Sequence, residues 1–456
     1  MRYLFCACTL AILARAASSQ QPGQTIGRAA IAPPPEVAVP PECILAGVPQ
    51  STARPDDSLC VTRASAVARA VIANPQLQVA GAQAQQARAR KVQGVALPDP
   101  TFAAEWDNSP APFGIGGANG RILGASITVP FVDKFRLNGR IGTAGIHQSE
   151  FDSVTVRQSV TSQTLQTYDS LLSALRHQVN LRQADSLARD FATKTRARFD
   201  AGTVARLDVV NADVAVGQVG TQIIANERDI ANARAALNRL LGRRLGAPLA
   251  TADSLYVPAP LPDLAVVEAA ALRHRSELAS LESQRTGARA TTQLAREFWY
   301  PDLSIGVARD YLADPTPGYL TTTISFPIPL LYWNHSKGEI AQDRYREDEL
   351  AAAYRDTEAA VGQDVRVAYG AAFTALRQAV YIRDQLLPAA RQAYRIAAAS
   401  YGLGGSSALE VNAARVALLD AESQYTDALA AATSARADLE RAVAMPLATF
   451  AAGGSQ

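Results

Sequence analysis

The chain is poor in the residues from which most catalytic and metal-binding sites are built. Its 456 residues include only 4 Cys, 4 His and 2 Met. None of the histidines has a second histidine four residues away, so neither a metal cluster nor a catalytic constellation is predicted. They are His147, His177, His274 and His335. The glycine-rich stretch GIGGANG (114–120) does not open a helix, which argues against a nucleotide site. We expect no enzyme activity, no cofactor and no bound metal.

A charge excess and long apolar runs are also missing. There are 44 basic and 42 acidic residues, a net charge of +2, so no nucleic-acid partner is expected. Beyond the N-terminus the chain has no run of about 18 apolar residues, as a membrane-spanning helix would need. Aromatic residues make up only 6%, and alanine is abundant. This composition is typical of long helices in close contact.

The N-terminus carries the features of a secretory signal peptide. Arg2 precedes a short apolar run over residues 4–13, and residues 14–16 form an A-x-A cleavage site. Residues 1–16 are therefore predicted to be removed on export, with a buried N-terminal helix as the alternative. Residues 17–61 are a Pro-rich segment.

Two of the four cysteines, Cys6 and Cys8, lie in the predicted signal peptide and would be removed with it. The other two, Cys43 and Cys60, can form a disulfide in an exported chain. A redox or metal role would need further partners, and the sequence shows none.

The remaining chain contains the same order of elements twice. Each copy has a helix of about 20 residues that ends in Pro-Asp, two alternating strands and a long helical hairpin. The predicted units are a first repeat (62–241), a Gly/Pro linker (242–264), a second repeat (265–448) and a disordered tail (449–456). Within them, strands are predicted at about 99–108, 121–130, 301–310 and 319–327, and hairpins at about 139–241 and 338–444. The first arms, about 139–199 and 338–401, are predicted as helical rods of roughly 90 Å.

The strand segments are long enough to cross an outer membrane when tilted, since such strands need about 9–11 residues. Aromatic residues cluster at their ends, where they suit the lipid headgroup level. They are Trp106, Phe131, Trp299, Tyr300, Tyr332 and Trp333. Soluble half-buried hairpins are the alternative. Four strands cannot close in lipid without unpaired edges, so a barrel would have to be shared between chains.

The two hairpins turn at similar sequences, RFDAGTVARLDVV from Arg198 and SYGLGGSSALEV from Ser400. The turns carry Gly202 in the first copy and Gly404-Gly405 in the second. Each turn is followed by an acid, which is Asp208 in the first copy and Glu410 in the second. The return helices have apolar residues at 3-4 spacing, which predicts left-handed supercoiling.

Together these features resemble the TolC-type outer-membrane channel family. The motifs that carry the resemblance are the stretch 74–77 (Asn-Pro-Gln-Leu), the Pro-Asp strand starts and the two turns. The resemblance implies a mostly α protein with a small β part, assembled as a homotrimer. A 12-stranded barrel in outer-membrane lipid would continue into a periplasmic α-helical barrel. The implied partners are a periplasmic adaptor and an inner-membrane transporter, with the resistance–nodulation–division type favoured.

The resemblance also suggests roles for the acids at the turns. Glu410 matches a family position at the pore constriction, and Asp208 is its equivalent in the first repeat. A second family acid and a family arginine at this tip are replaced here by Ala413 and Ser406, so the family's closing network is incomplete. A carboxylate ring in a narrow pore favours cations. The alternative role for these acids is stabilisation of a helix N-terminus.

The function predicted from these observations is the exit duct of a tripartite efflux pump that carries small molecules or metal ions. One alternative is an exit duct for type I protein secretion. Another is a periplasmic coiled-coil adaptor, which would show one helical hairpin inside a β-rich carrier domain rather than two hairpins and four membrane-length strands.

Overall fold

The computed structural model describes residues 59–107, 120–312, 318–328 and 336–452. The predicted signal peptide, Cys43, Tyr332 and Trp333 lie outside these residues. In the first repeat the elements are β1 (Leu59–Val61), α1 (Arg63–Ala73), α2 (Pro75–Gly94), β2 (Thr101–Asp107), β3 (Gly120–Val129), α3 (Val132–Asp200) and α4 (Arg206–Leu240).

The second repeat has the same order. Its elements are β4 (Leu249–Thr251), α5 (Leu264–His274), α6 (Ser276–Arg296), β5 (Leu303–Leu312), β6 (Leu320–Ser325), α7 (Ser336–Tyr381), α8 (Leu387–Gly402), α9 (Ala408–Val443) and the short α10 (Ala448–Ala452). A 3-10 turn (Glu297–Trp299) precedes β5, and a π-helical turn (Ile382–Leu386) joins α7 to α8.

The helices form a layer of four rods. One outer rod is α2 followed by α4, and it packs on α3. On its other side α3 packs against α6 and α9, which in turn pack against α7 and α8. The strands form one antiparallel sheet in the order β2-β3-β5-β6. Because β2 follows α2, β3 leads into α3, β5 follows α6 and β6 leads into α7, the sheet repeats the order of the rods.

Two polar side chains join the stacked helices end to end. Asn74 caps α2 by accepting the Gln76 N–H (2.8 Å), and its amide donates to the Leu240 carbonyl at the end of α4 (3.2 Å). In the second repeat Arg275 donates to the Ala442 carbonyl near the end of α9 (3.2 Å). These bonds satisfy carbonyls that a helix C-terminus leaves without partners, and both donors are buried.

The first arm of the first hairpin is longer than its sequence predicts. It begins at Val132 rather than near Gly139, because Asp302 of the other repeat accepts the Phe131 N–H (3.3 Å) and the Lys134 ammonium (2.8 Å). Glycines such as Gly142 weaken a helix in isolation. Here Gly142 serves packing, because a Cβ at this position would lie 2.7–3.0 Å from atoms of Lys91 on α2.

The first arm of the second hairpin is helical from Ser336 to Gly402, but it is not a regular α-helix throughout. The π-helical turn at Ile382–Leu386 interrupts it immediately before Pro388, which lies in the first turn of α8. Proline has no N–H to donate to the preceding turn, and its ring clashes with the carbonyl four residues earlier. A π-turn is one of the local adjustments by which a helix passes such a residue.

Candidate functional sites at the hairpin tips and the membrane end

The two hairpins end in the same backbone turn. Gly202 and Gly404 both take the left-handed conformation, with φ of 73° and 83°. The next residue donates its N–H back to the helix, from Thr203 to the Arg198 carbonyl and from Gly405 to the Ser400 carbonyl, both at 2.9 Å. This is the Schellman pattern of helix termination, which favours glycine because a Cβ is strained at positive φ.

The two acids after the turns stabilise the return helices. The Glu410 carboxylate accepts the Ser407 N–H (3.0 Å), and the Ser407 hydroxyl accepts the Glu410 N–H (3.2 Å), which completes a capping box. The Asp208 carboxylate accepts the Ala205 N–H (3.2 Å). Only half of the box forms there, because alanine has no side-chain acceptor. Glu410 is exposed and Asp208 is half-buried.

An arginine of the first tip holds the second tip. The Arg198 guanidinium donates to the Tyr401 carbonyl (2.6 Å) and lies 4.4 Å from the centre of the Tyr401 ring. The buried Tyr401 packs against Phe191 (ring centres 5.4 Å apart), and its hydroxyl lies 3.2 Å from that of Thr195. The sequence argument missed this contact. The sequence feature that could have indicated it is a difference between the two copies, since Arg198 in the first corresponds to Ser400 in the second.

Above the tip, α9 buries a second arginine. Arg415 is 3% exposed, and its only hydrogen bond among the described residues is to the Asn412 side chain (3.0 Å). Burial lowers the pKa of Arg415, and burial likewise raises the pKa of the neighbouring Tyr394 phenol. Burial of a guanidinium without a carboxylate partner costs folding free energy, which favourable packing around Arg415 has to offset.

Three of the predicted interface aromatics, Phe131, Trp299 and Tyr300, gather at the end of the strands nearest the rods. Phe131 stacks on Tyr300 with ring centres 4.7 Å apart, and Trp299 packs against Phe298 at 4.6 Å. Trp106 belongs to β2 and is paired in register with Arg121 near the opposite end of the sheet. No helix of the described residues is long and apolar enough to cross a membrane.

The sheet has one apolar and one mainly polar or small-residue face. In-register partners such as Phe102, Ala125 and Val307 share the apolar face. Ser126 and Gly306 are paired on the other. Large apolar side chains on the first face are exposed. They include Phe102, Leu123, Leu303, Ile305, Val307, Leu320 and Ile324. This alternation is what a strand in contact with lipid on one side requires.

A buried acid lies where the two repeats meet. Asp169 of α3 is ion-paired with Arg63 (2.6 Å) and is 1% exposed. Its burial raises the pKa of the carboxyl to about 6, a rise that Arg63 limits. The linker residue Asp253 accepts the Arg63 N–H (2.6 Å) and contacts the Tyr168 hydroxyl (2.9 Å). Cys60, in the adjacent β1, is disulfide-bonded, and its predicted partner Cys43 lies outside the described residues.

Across residues 59–107, 120–312, 318–328 and 336–452, no group of three His, Cys, Asp or Glu side chains is placed to hold a metal. A sheet with a lipid-type face that extends a layer of long helical rods is the architecture of an outer-membrane protein that reaches into the periplasm. The outer membrane efflux protein family matches residues 66–243 and 268–444, which are the two repeats. The chain belongs to this family, and the predicted resemblance and outer-membrane location are confirmed.

Individual relatives agree with this assignment. The pyoverdine export outer membrane protein OpmQ of Pseudomonas aeruginosa is 25% identical over 305 residues, which are 63% of this chain and 62% of that protein. The match thus spans less than two thirds of that relative's length. Among solved structures, the outer-membrane channel OprN has a TM-score of 0.71 at 18% identity and covers 84% of this chain and 89% of its own. The Campylobacter jejuni outer membrane channel CmeC has a TM-score of 0.70 at 20% identity and covers 84% and 85%.

Proposed function

We propose that this protein is the outer-membrane exit duct of a tripartite efflux pump. In this proposal three copies form a 12-stranded barrel, from three sets of the four strands β2-β3-β5-β6, and the rods continue it as an α-helical barrel across the periplasm. A periplasmic adaptor and an inner-membrane transporter deliver the cargo, and no catalytic step is involved. The observation that carries the proposal is that the four strands lie side by side in the same order as the four helical rods to which they connect.

The edges of the sheet support assembly with further copies. β2 and β6 each pair on one side only within the described residues. An unpaired strand edge in hydrocarbon leaves backbone groups without hydrogen bonds, at a cost of several kcal/mol each. Pairing β6 of one copy with β2 of the next removes both edges, and repetition closes a ring.

The outer rods carry matching apolar stripes near the tips. On α4 the side that faces away from α3 exposes Leu207, Val210, Val214 and Ile224, the last of them by 69%. The outer rod of the second repeat exposes Tyr381, Ile396 and Leu403, the last by 91%. Contiguous apolar stripes of this kind mark protein interfaces. In the proposed ring the α4 stripe of one copy covers the stripe on the outer rod, α7 and α8, of its neighbour.

The cargo is proposed to be a small molecule. The relative OpmQ is named for pyoverdine export, which favours small-molecule efflux over type I protein secretion. A ring of three Glu410 side chains, with Asp208 beside it, would form the constriction at the tips and favour cations. The alternative that this chain is itself a periplasmic adaptor is disfavoured, because the chain has two hairpins and a sheet with a lipid-type face.

Two measurements test the proposal. Native mass spectrometry of the full-length protein in detergent should give a trimer, and the purified protein should conduct ions in planar bilayers. Val214→Glu and Ile396→Glu place charges in the proposed interface and should each reduce the trimer fraction. A monomer without conductance would contradict the duct.

A further inference from the structure

A cationic groove lies at the membrane end of the rods, between α2, α3 and α6. Its volume is about 850 Å³. Four of its lining side chains are basic, and Glu282 is the only acid that lines it within the described residues. The basic side chains are Lys91, Arg136, Arg140 and Arg289. The groove plays no part in the proposed duct, so its charge calls for a separate explanation.

Two of these cations make no ion pair within the described residues, although the Asp133 carboxylate that binds Arg136 also attracts Arg140. Arg136 is ion-paired with Asp133 (2.7 Å). Arg289 lies 3.6 Å from Glu282, a carboxylate that Arg285 already binds at 2.6 Å. Neither Lys91 nor Arg140 makes an ion pair with a described residue. The groove thus holds an excess of positive charge, which attracts a ligand of opposite sign.

Close packing of the helices places the side chains of Lys91 and Arg140 in the same groove. Gly139 and Gly142 of α3 face α2, and a Cβ at Gly142 would meet Lys91 atoms at 2.7–3.0 Å. The Lys91 stem therefore lies directly on α3 at Gly142, and the Arg140 side chain lines the same groove from the adjoining face of that helix. A larger residue at position 142 would push α2 away. Helix packing thus brings two basic side chains to one groove.

The groove begins at the depth of lipid headgroups and extends along the rods away from the membrane. β3 ends at Val129 and α3 begins at Val132, beside the stacked pair Phe131 and Tyr300. At 1.5 Å per residue, Arg136 and Arg140 lie about 6 and 12 Å into the helix. A headgroup layer is about 5–8 Å thick. Helical side chains tilt toward the helix N-terminus, so both arginines of α3 extend back toward the membrane. Lys91, on the oppositely directed α2, lies level with Gly142, about 15 Å into α3, and its flexible stem brings the ammonium back toward Arg140.

The groove also opens on the lipid side of the layer. The Asp310 N–H points from β5 toward β6, where it donates to the Tyr319 carbonyl (2.9 Å). For an L-amino acid in a strand of known direction, the direction of the N–H determines the face of the sheet from which the side chain projects. In α3, the residues that contact α2 and those that contact α6 are known, and the helix is right-handed. Together these determine the face of the rod layer from which the Arg140 side chain projects. Arg140 and Asp310 lie on opposite sides. The groove therefore shares the side of Ile305 and Val307, which is the apolar side.

We propose that this groove binds the phosphate of an anionic phospholipid from the periplasmic leaflet of the outer membrane. Lys91 and Arg140 hold the phosphate by charge-assisted hydrogen bonds. The lipid's acyl chains remain in the bilayer against the apolar strand face. Basic pockets beside membrane-spanning segments suit such headgroups. The site requires only that the strands lie in a membrane, and it does not depend on the channel being open or on its cargo.

The test compares lipid binding by the full-length protein with and without the charges of Lys91 and Arg140. Native mass spectrometry in detergent should show phosphatidylglycerol retained by the parent protein, with little phosphatidylcholine retained. The double variant Lys91→Gln/Arg140→Gln should bind phosphatidylglycerol roughly thirtyfold more weakly, because two basic contacts with the phosphate are lost. Arg90→Gln is the matched control. Arg90 immediately precedes Lys91 on α2 and is exposed, but it does not line the groove.

Three results would overturn the lipid site. They are equal retention of the two lipids by the parent protein, undiminished binding by the double variant, and displacement of the lipid by millimolar inorganic phosphate. The last would make the groove a site for free phosphate. Both variants change exposed or half-exposed side chains, and a melting temperature within a few degrees of the parent's will verify folding. Bilayer conductance is measured in parallel. Its absence would contradict the proposed duct, whereas a lipid-binding result bears on this site alone.

Discussion

Arg198→Ala should loosen the contact between the two hairpin tips. Its guanidinium makes one hydrogen bond to the Tyr401 carbonyl (2.6 Å) and covers the Tyr401 ring at 4.4 Å. These contacts join residues 203 positions apart in the chain. No second arginine duplicates them, because the equivalent position of the other repeat is Ser400.

The expected effect follows from these two contacts. A hydrogen bond from a charged donor contributes about 1.5–3 kcal/mol and an exposed cation–π contact about 0.5–1 kcal/mol. Arg198 is half-buried, so the low end of each range applies and the total is about 2 kcal/mol. If the contact exists only while the tips are together, its loss shifts the equilibrium toward separated tips by roughly thirtyfold.

The assay has a matched control on the same helix. Arg196 is ion-paired with Asp213 within the first hairpin (2.8 Å), and both side chains are more than half exposed. Arg196→Ala should therefore change little, because exposed pairs contribute about 0–1 kcal/mol. Spin labels at Asp200 and Leu403 report the tip separation by pulsed electron paramagnetic resonance, and single-channel recordings report the open probability. Equal distances and open probabilities in the two variants would refute the reasoning.

Three further predictions concern the acids and glycines. Glu410→Ala should reduce any cation preference of reconstituted channels, and unchanged reversal potentials in a salt gradient would exclude the carboxylate ring. Gly404→Ala should destabilise the protein by about 1–2 kcal/mol because φ is positive, whereas Gly220→Ala, in a helix with open space around it, should stabilise it by about 0.5–1 kcal/mol. Burial raises the pKa of the Asp169 carboxyl in the folded state to about 6, above its ordinary value of 3.8, so its protonation stabilises the folded state. This contribution, about 3 kcal/mol at most, is fully present below about pH 3.8 and is lost as pH rises through about 6. The melting temperature of Asp169→Asn should vary less between pH 4 and 7 than that of the parent, and equal slopes would contradict the shift.

Much of the architecture could be predicted because it is local and occurs twice. Alternating residues such as Leu303, Ile305 and Val307 indicate strands, and the glycines at 202 and 404 indicate turns. These signals depend on backbone preference and on the period of burial, which neighbouring residues determine. The family assignment drawn from them is confirmed, as is a mostly α protein with a small β part. The trimer, the barrel and the pore role of Glu410 stay predictions.

The sequence by itself determined the duplication, the order of elements and the chemistry of the turns, because each is written in residues a few positions apart. Only the tertiary structure decided that α3 lies between α2 and α6, that Arg198 holds Tyr401, and that Gly142 brings Lys91 onto α3. It also decided where α3 begins, through Asp302 of the other repeat. The physical reason is that these contacts join distant parts of the chain, and many partners satisfy the same local pattern. Packing of specific side chains selects one of them, and no periodicity in the sequence records that choice.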